Sequence, residues 1–308
     1  MAKPRSGAKD FLVYLAVRFA VHFLQSLPLA TGRMLARGLA WLAYRVDRRH
    51  REVAFDNLRQ AFPGRYPDAQ LPMVVRAVYR HFATVMIEML HLPRKLHTHN
   101  WRQFLCLPEG AVVVDALLSG RPALFVTGHF GNWEMAGYIL GLFGFRTFAV
   151  ARPLDNPYLD RFLRQFRERT GQRLLAKRGE LDKMQGILDG GGIIATLADQ
   201  DAGKHGLFVD FFGRPASTHK AIALLALEHN ALLVVCGAQK IGEPMQYAIR
   251  VMDIIRPEEY DRDPRAVRSI TQRFTLAIEN LVRLDPTQYF WLHRRWKHQP
   301  APRTRKAA

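Results

Sequence analysis

The chain has only two cysteines in 308 residues, Cys106 and Cys236, and they are far apart. No C-x2-C or C-x3-C spacing occurs, which argues against a disulfide framework or a cysteine-built zinc site and makes a reducing environment the default. Serine is also scarce, at five residues, and none sits in a G-x-S-x-G elbow. H-E-x-x-H, G-x-x-x-x-G-K-[ST] and G-x-G-x-x-G are absent as well, so the familiar serine-hydrolase, zincin, P-loop and dinucleotide signatures are missing. There is no low-complexity stretch, heptad array or internal repeat. Acid is in short supply: 27 Asp and Glu face 45 Lys and Arg, for a formal net charge of +18.

That charge is concentrated at the ends. Residues 1–60 hold 11 Lys/Arg against 4 Asp/Glu, and residues 291–308 hold 6 against none. Blocks of positive charge point to an anionic membrane surface, a nucleic acid or an acidic carrier protein as partner. The segment FLVYLAVRFAVHFLQSLPLA (11–30) follows Lys3, Arg5 and Lys9, and no small-x-small cleavage site follows it. Its length suits one bilayer span of about 20 residues. However, Tyr14, Arg18, His22 and Gln25 fall on one helical stripe. A lone span would place Arg18 near the bilayer centre, at roughly 2.5–3.5 kcal/mol. An interfacial helix, or a span whose polar stripe faces protein, avoids that cost, and the interfacial helix is the favoured reading. The basic run MLARGLAWLAYRVDRRHR strengthens the expectation of membrane attachment, because anionic lipid attracts each surface Lys/Arg by about 1 kcal/mol. The basic runs lack interleaved aromatics, which counts against nucleic acid.

Beyond the N-terminal region the chain alternates. Val74, Val78, Phe82, Val85 and Met89 keep helical spacing, and Pro93 is expected to stop that helix. β-like runs follow at 121–127, 146–151, 172–177, 193–198, 207–212, 232–240 and 246–252. Helical patterns lie at 132–143, 156–170, 180–189 and 217–229, and a last helix is expected after Asp263-Pro264, ending before Asp285-Pro286. Strand–helix alternation predicts an α/β fold with a mostly parallel central sheet flanked by helices, preceded by a helical, membrane-associating region. The expected division is residues 1–60 for that region and 61–308 for the α/β domain. Ligands in such sheets bind beyond the carboxyl ends of the strands.

One strand end stands out. In FVTGHFGNWEMAG (125–137), an apolar strand stops at Gly128, His129 and Gly131, with Glu134 in the first turn of the next helix. With 12 histidines and 27 acids, about one H-x4-[DE] pair is expected by chance, and two occur, His129/Glu134 and His205/Asp210. The second lies in a strand-like run, where an offset of five points side chains to opposite faces. In the first, the glycines permit a tight turn, so the two side chains can converge. A carboxylate on one imidazole nitrogen fixes the tautomer and leaves the other as a general base. The plainer reading makes His129 a turn histidine and Glu134 a first-turn acid favoured by the helix dipole.

GHFGNWE, ARPLDNPYLD, ADQD, FVDFFGRPAST and WLHRRWK occur in that order, and together they resemble the late acyltransferases of lipid A biosynthesis. The resemblance covers nearly the whole chain. It implies transfer of a fatty acyl chain from an acyl carrier protein thioester, or from acyl-CoA, to a hydroxyl of a membrane glycolipid. The setting would be the cytoplasmic face of a bacterial inner membrane. It makes His129 the base and Glu134 its orienting acid, with no cofactor and no metal. Donors for the developing oxyanion are expected from the Gly128–Gly131 turn amides or from Arg152. Asp199, Gln200 and Asp201 are candidates for acceptor binding, and Phe211 and Phe212 for lining an acyl tunnel. Thr218 reads as a helix cap or substrate contact. Arg294, with Arg295 and Lys297, would meet phosphate or carrier. Expected partners are acyl carrier protein, a glycolipid acceptor and an anionic membrane surface, with no nucleic acid. A lysophospholipid or mannoside-type acyltransferase, and a non-catalytic basic membrane-binding protein, stay open as alternatives.

Overall fold

The run Ala123–Val126 carries no polar side chain and is buried on both faces, as a central parallel strand must be. Around it the computed structural model, which describes residues 6–176 and 180–300, builds a seven-stranded sheet. Four helices come first: α1 (Gly7–Ser26), α2 (Leu29–Val46), α3 (Arg48–Ala61) and α4 (Leu71–Lys95). Then follow β1 (Leu105–Cys106), α5 (Gly110–Leu118), β2 (Ala123–Thr127), α6 (Trp133–Leu142), β3 (Thr147–Ala151) and α7 (Pro157–Arg167). After these come β4 (Arg173–Ala176), α8 (Leu181–Asp189), β5 (Ile193–Leu197), β6 (Leu207–Phe211) and β7 (Arg214–Thr218). The chain closes with α9 (Ala221–Glu228), β8 (Leu232–Gly242), β9 (Gln246–Ile255) and α10 (Ala266–Leu284).

The strand order is β1-β9-β8-β2-β5-β3-β4, and every neighbouring pair is parallel except β8–β9. The alternating pattern therefore yields the expected mostly parallel α/β sheet. Gly137 and Gly141 of α6 serve close packing: a Cβ on Gly137 would fall 2.3 Å from the Gln172 side chain, and one on Gly141 2.5 Å from the Thr170 carbonyl.

Two boundaries differ from the sequence expectation. Pro93 lies inside α4, two residues before its end, where it removes one backbone donor while the Leu96 amide still bonds Leu92 O at 2.9 Å. Residues 217 and 218, read as the start of a helix, instead end β7, the second strand of a separate β6–β7 hairpin. Phe211 pairs with Arg214, leaving Phe212-Gly213 as a two-residue loop with both φ values positive, 55° and 73°. A hairpin needs that turn to match strand twist, and it overrides the helical pattern.

The N-terminal helices settle how Arg18 is accommodated. Arg18 donates to Tyr14 OH at 2.9 Å, lies 3.2 Å from His22 Nε2, and stacks over Phe162 of α7. Gln25 donates to Leu90 O of α4 at 2.9 Å. Tyr14, Arg18 and Gln25 of the stripe thus face protein, while His22 stays exposed with Leu12, Phe19 and Phe23. Among the described residues, no helix is long and apolar enough to cross a membrane. Lys3, Arg5 and the basic residues of 301–308 lie outside the described residues, as does the end of the 172–177 run.

Candidate active site

Parallel pairing sets Thr127 of β2 beside Leu197 of β5. Two residues further along each strand stand His129 and Asp199, side by side at the carboxyl edge though 70 apart in the chain. Asp199 Oδ1 accepts from His129 Nδ1 at 2.8 Å, and Asp199 Oδ2 accepts from the His129 backbone N–H at 2.8 Å. Gly128 makes room for this: a Cβ there would meet Asp199 Cγ at 3.3 Å and Ile278 Cγ2 at 3.1 Å. Gly131 is needed more strictly, with φ of 58° and a virtual Cβ only 1.8 Å from Ala238 O. Asn132 then caps α6 by accepting from the Met135 amide at 3.0 Å.

The electrostatics favour a charged pair. Burial by itself pushes the His129 imidazole down, but the Asp199 charge and hydrogen bond, with the more distant Glu134 charge, raise it above the ordinary histidine value. Burial likewise pushes Asp199 up, and the His129 charge and hydrogen bonds bring it below the usual carboxylate range. When the imidazole is neutral, Nδ1–H is held by Asp199 and Nε2 carries the lone pair. It lies on a partly open face between Trp133 and Phe290, with Gln200 Nε2 3.5 Å away. Behind the turn, His81 donates to Gly131 O at 3.2 Å, and burial pushes that imidazole down to about 4, so it is neutral.

Glu134 is placed differently from the expectation. Both its oxygens are taken by Arg167 at the end of α7, one by Nε at 2.9 Å and the other by Nη2. It projects from the first turn of α6 toward α7 and influences His129 by charge alone. The turn amides are also committed. His129 N–H donates to Asp199, Phe130 to Gly128 O, Gly131 to Gln288 O and Asn132 to Ala238 O, so these four are not free for an oxyanion.

The other expected site residues scatter. Arg152, following β3 two strands from β2, is 81% exposed and lies 3.4 Å from Asp155. Asp201 sits beside the dyad, bonded to His298 Nδ1 at 2.6 Å while its amide donates to His293 Nε2 at 3.1 Å. Phe211 and Phe212 are buried against Phe62, Trp291 and Trp296, which makes them core rather than an open tunnel wall. Thr218 does not cap α9, whose first flanking residue is Lys220; it is buried and accepts from Arg295 Nη2 at 2.6 Å. Arg294 is exposed, whereas Arg295 is buried, braces the Ser217–Thr218 strand end and faces Asp199 by charge. In the second His/acid pair, Asp210 accepts from the Gly213 amide at 2.9 Å and so holds the hairpin turn. No spacing in the sequence links Arg167, His293 or His298 to His129.

The His129–Asp199 pair thus stands at the carboxyl edge of a mostly parallel sheet, where ligands bind in α/β folds. The chain belongs to the bacterial lipid A biosynthesis acyltransferase family, whose profile matches residues 3–298, and as a member it is an enzyme that transfers acyl groups. It is 26% identical to a Haemophilus influenzae lipid A biosynthesis acyltransferase, over 90% of this chain and 88% of that protein. It is 25% identical to the Escherichia coli lipid A biosynthesis lauroyltransferase, over 89% and 88%. A phosphatidylinositol mannoside acyltransferase of Mycolicibacterium smegmatis is 28% identical over 75% of each chain.

Proposed function

We propose that the protein moves a fatty acyl chain from an acyl carrier protein thioester to a hydroxyl of a lipid A precursor, with His129 as general base and Asp199 as the acid that orients it. The observation that carries this reading is the Asp199–His129 Nδ1 hydrogen bond, which leaves Nε2 free to take a proton. In the step, Nε2 removes the acceptor hydroxyl proton as that oxygen attacks the thioester carbonyl. The tetrahedral oxyanion then collapses, the C–S bond breaks, and the leaving thiolate takes the proton back from the imidazolium. The products are an ester and a free thiol, and the enzyme is unchanged. With four turn amides committed elsewhere, the Gln200 side-chain amide, 3.5 Å from His129 Nε2, would donate to the oxyanion in this reading. Glu134 and Arg167 act as a joined pair: the carboxylate adds negative potential at His129 and holds the guanidinium at the edge of the site.

The carrier-protein donor is supported by the net charge of +18, since an acyl carrier protein is acidic and encounter would be steered. Membrane attachment through residues 1–60 is supported by the exposed apolar side chains of α1 and α2. The test compares acyl carrier protein and acyl-CoA thioesters with a lipid A precursor or a mannosylated phosphatidylinositol as acceptor, over rising salt. The expected result is transfer to the lipid A precursor, with KM for the carrier thioester rising with salt more than kcat falls. Preference for acyl-CoA with a salt-insensitive KM would remove the carrier from this reading, and transfer only to the mannoside would replace the acceptor.

A further inference from the structure

A cleft of about 390 Å³ opens between α2, α4, the β8–β9 hairpin and the corner at Asp285–Gln288. Arg33, Arg37, Arg80 and Lys240 line it, against two acids, Glu243 and Asp285. Their pairing is uneven. Glu243 is shared by Arg33 at 2.7 Å and Lys240 at 3.2 Å, and Lys240 is also held by buried Glu88 at 2.6 Å. Asp285 accepts from Thr287 and Gln288 of its own turn. The guanidinium groups of Arg37 and Arg80 have no hydrogen-bond or ionic partner among the described residues. Two unpaired guanidiniums facing one cavity repel each other and favour a bound anion. Phosphate, which accepts forked N–H pairs, suits them best.

The helix that carries two of these arginines indicates the source of that phosphate. On α2, Gly32, Ala36 and Ala40 form the buried stripe, packed toward α4. Arg33 and Arg37 each follow that stripe by one residue and so flank it. The arc beyond them is exposed and largely apolar, through Met34, Leu35, Leu39, Trp41 and Leu42, with Arg45 at its last turn over the Trp41 ring. If that arc is immersed in a bilayer, the two arginines lie at headgroup depth with the cleft opening beside them. His129 does not line the cleft, although His81 and Gln288, which do, hold the Gly131 peptide from behind.

We propose that this cleft binds the phosphate of an anionic phospholipid headgroup, separately from the acyl-transfer site, and so fixes the enzyme's depth and orientation on the membrane. The proposal does not depend on which donor or acceptor the enzyme uses. It is tested on full-length protein by cosedimentation with vesicles of phosphatidylcholine, with and without phosphatidylglycerol. Titration with dihexanoyl phosphatidylglycerol below its micelle concentration, and with inorganic phosphate, completes the set. Arg37→Gln/Arg80→Gln is compared with Arg48→Gln/Arg49→Gln, which removes the same charge from the exposed start of α3.

The cleft variant should lose affinity for both the anionic vesicles and the short-chain lipid, on the order of tenfold or more. The α3 variant should keep its affinity for the short-chain lipid. Arg37→Lys/Arg80→Lys should fall between wild type and the glutamine variant, because charge is kept and the fork is lost. Arg80→Gln alone, with about half the effect on a logarithmic scale, serves if the double variant does not fold. Equal losses in the two glutamine variants would mean diffuse attraction and overturn the proposal. So would inorganic phosphate binding as tightly as the short-chain lipid.

Discussion

Replacing Asp199 with asparagine keeps the shape of the side chain and removes its charge, and the two hydrogen bonds that Asp199 accepts decide the outcome. One comes from the His129 backbone N–H and the other from Nδ1, each at 2.8 Å. Asparagine offers one oxygen and one NH2. The backbone donor cannot change roles but the imidazole can, so the oxygen goes to the backbone and the NH2 faces Nδ1. That arrangement protonates Nε2 and removes the lone pair needed as base. Turnover should fall by roughly 10²–10⁴-fold, the range general-base catalysis supplies.

The pH profile separates this from simple damage. In the wild type the acid limb of kcat/KM should lie above the ordinary histidine value of 6.5, because the Asp199 charge and bond outweigh burial. In Asp199→Asn burial is opposed only by Glu134, so the limb should move down. Stability should follow the same pair. A raised His129 contributes stability below about 6.5 that is lost as pH rises through its folded value. A lowered Asp199 contributes above about 3.8 and is lost as pH falls through its own folded value. The stability gap between wild type and variant should therefore be widest in the window between and narrow on either side. Acyl transfer measured across pH, with urea unfolding of both proteins, checks each part. A well-folded Asp199→Asn within about threefold of wild-type turnover, with an unmoved acid limb, would refute the reasoning.

Glu134→Gln and Arg167→Gln should each lower activity less than Asp199→Asn, and the double variant should be no worse than the poorer single. A double-mutant cycle is expected to give about 1–3 kcal/mol of coupling, and additive effects would show that the pair does not act as a unit. Gly131→Ala should destabilise the protein by at least about 2 kcal/mol, since its Cβ would collide with Ala238 O in a backbone conformation that disfavours side chains. A Tm within a degree of wild type would contradict that.

Much of this protein was legible in the sequence, because period and composition act locally. An apolar run of four residues makes a doubly buried strand wherever it pairs, and Gly131 marks a turn that only glycine fits. The alternation of strands and helices was enough to predict the parallel sheet and to place His129 at a carboxyl end. What spacing alone did not decide was every partner that arrives from elsewhere in the chain. Sequence neighbours favoured Glu134 for His129, yet the β2–β5 register brings Asp199 to Nδ1, while α7 crosses to take Glu134 with Arg167. Between adjacent arginines, burial against Thr218 distinguishes Arg295 from Arg294. The polar stripe of α1 was visible as a stripe, and the contacts with α4 and α7 decided that its Arg18 and Gln25 meet protein. Helical and strand periods report which way a side chain points. Strand register and helix docking, which depend on distant residues, decide what it meets.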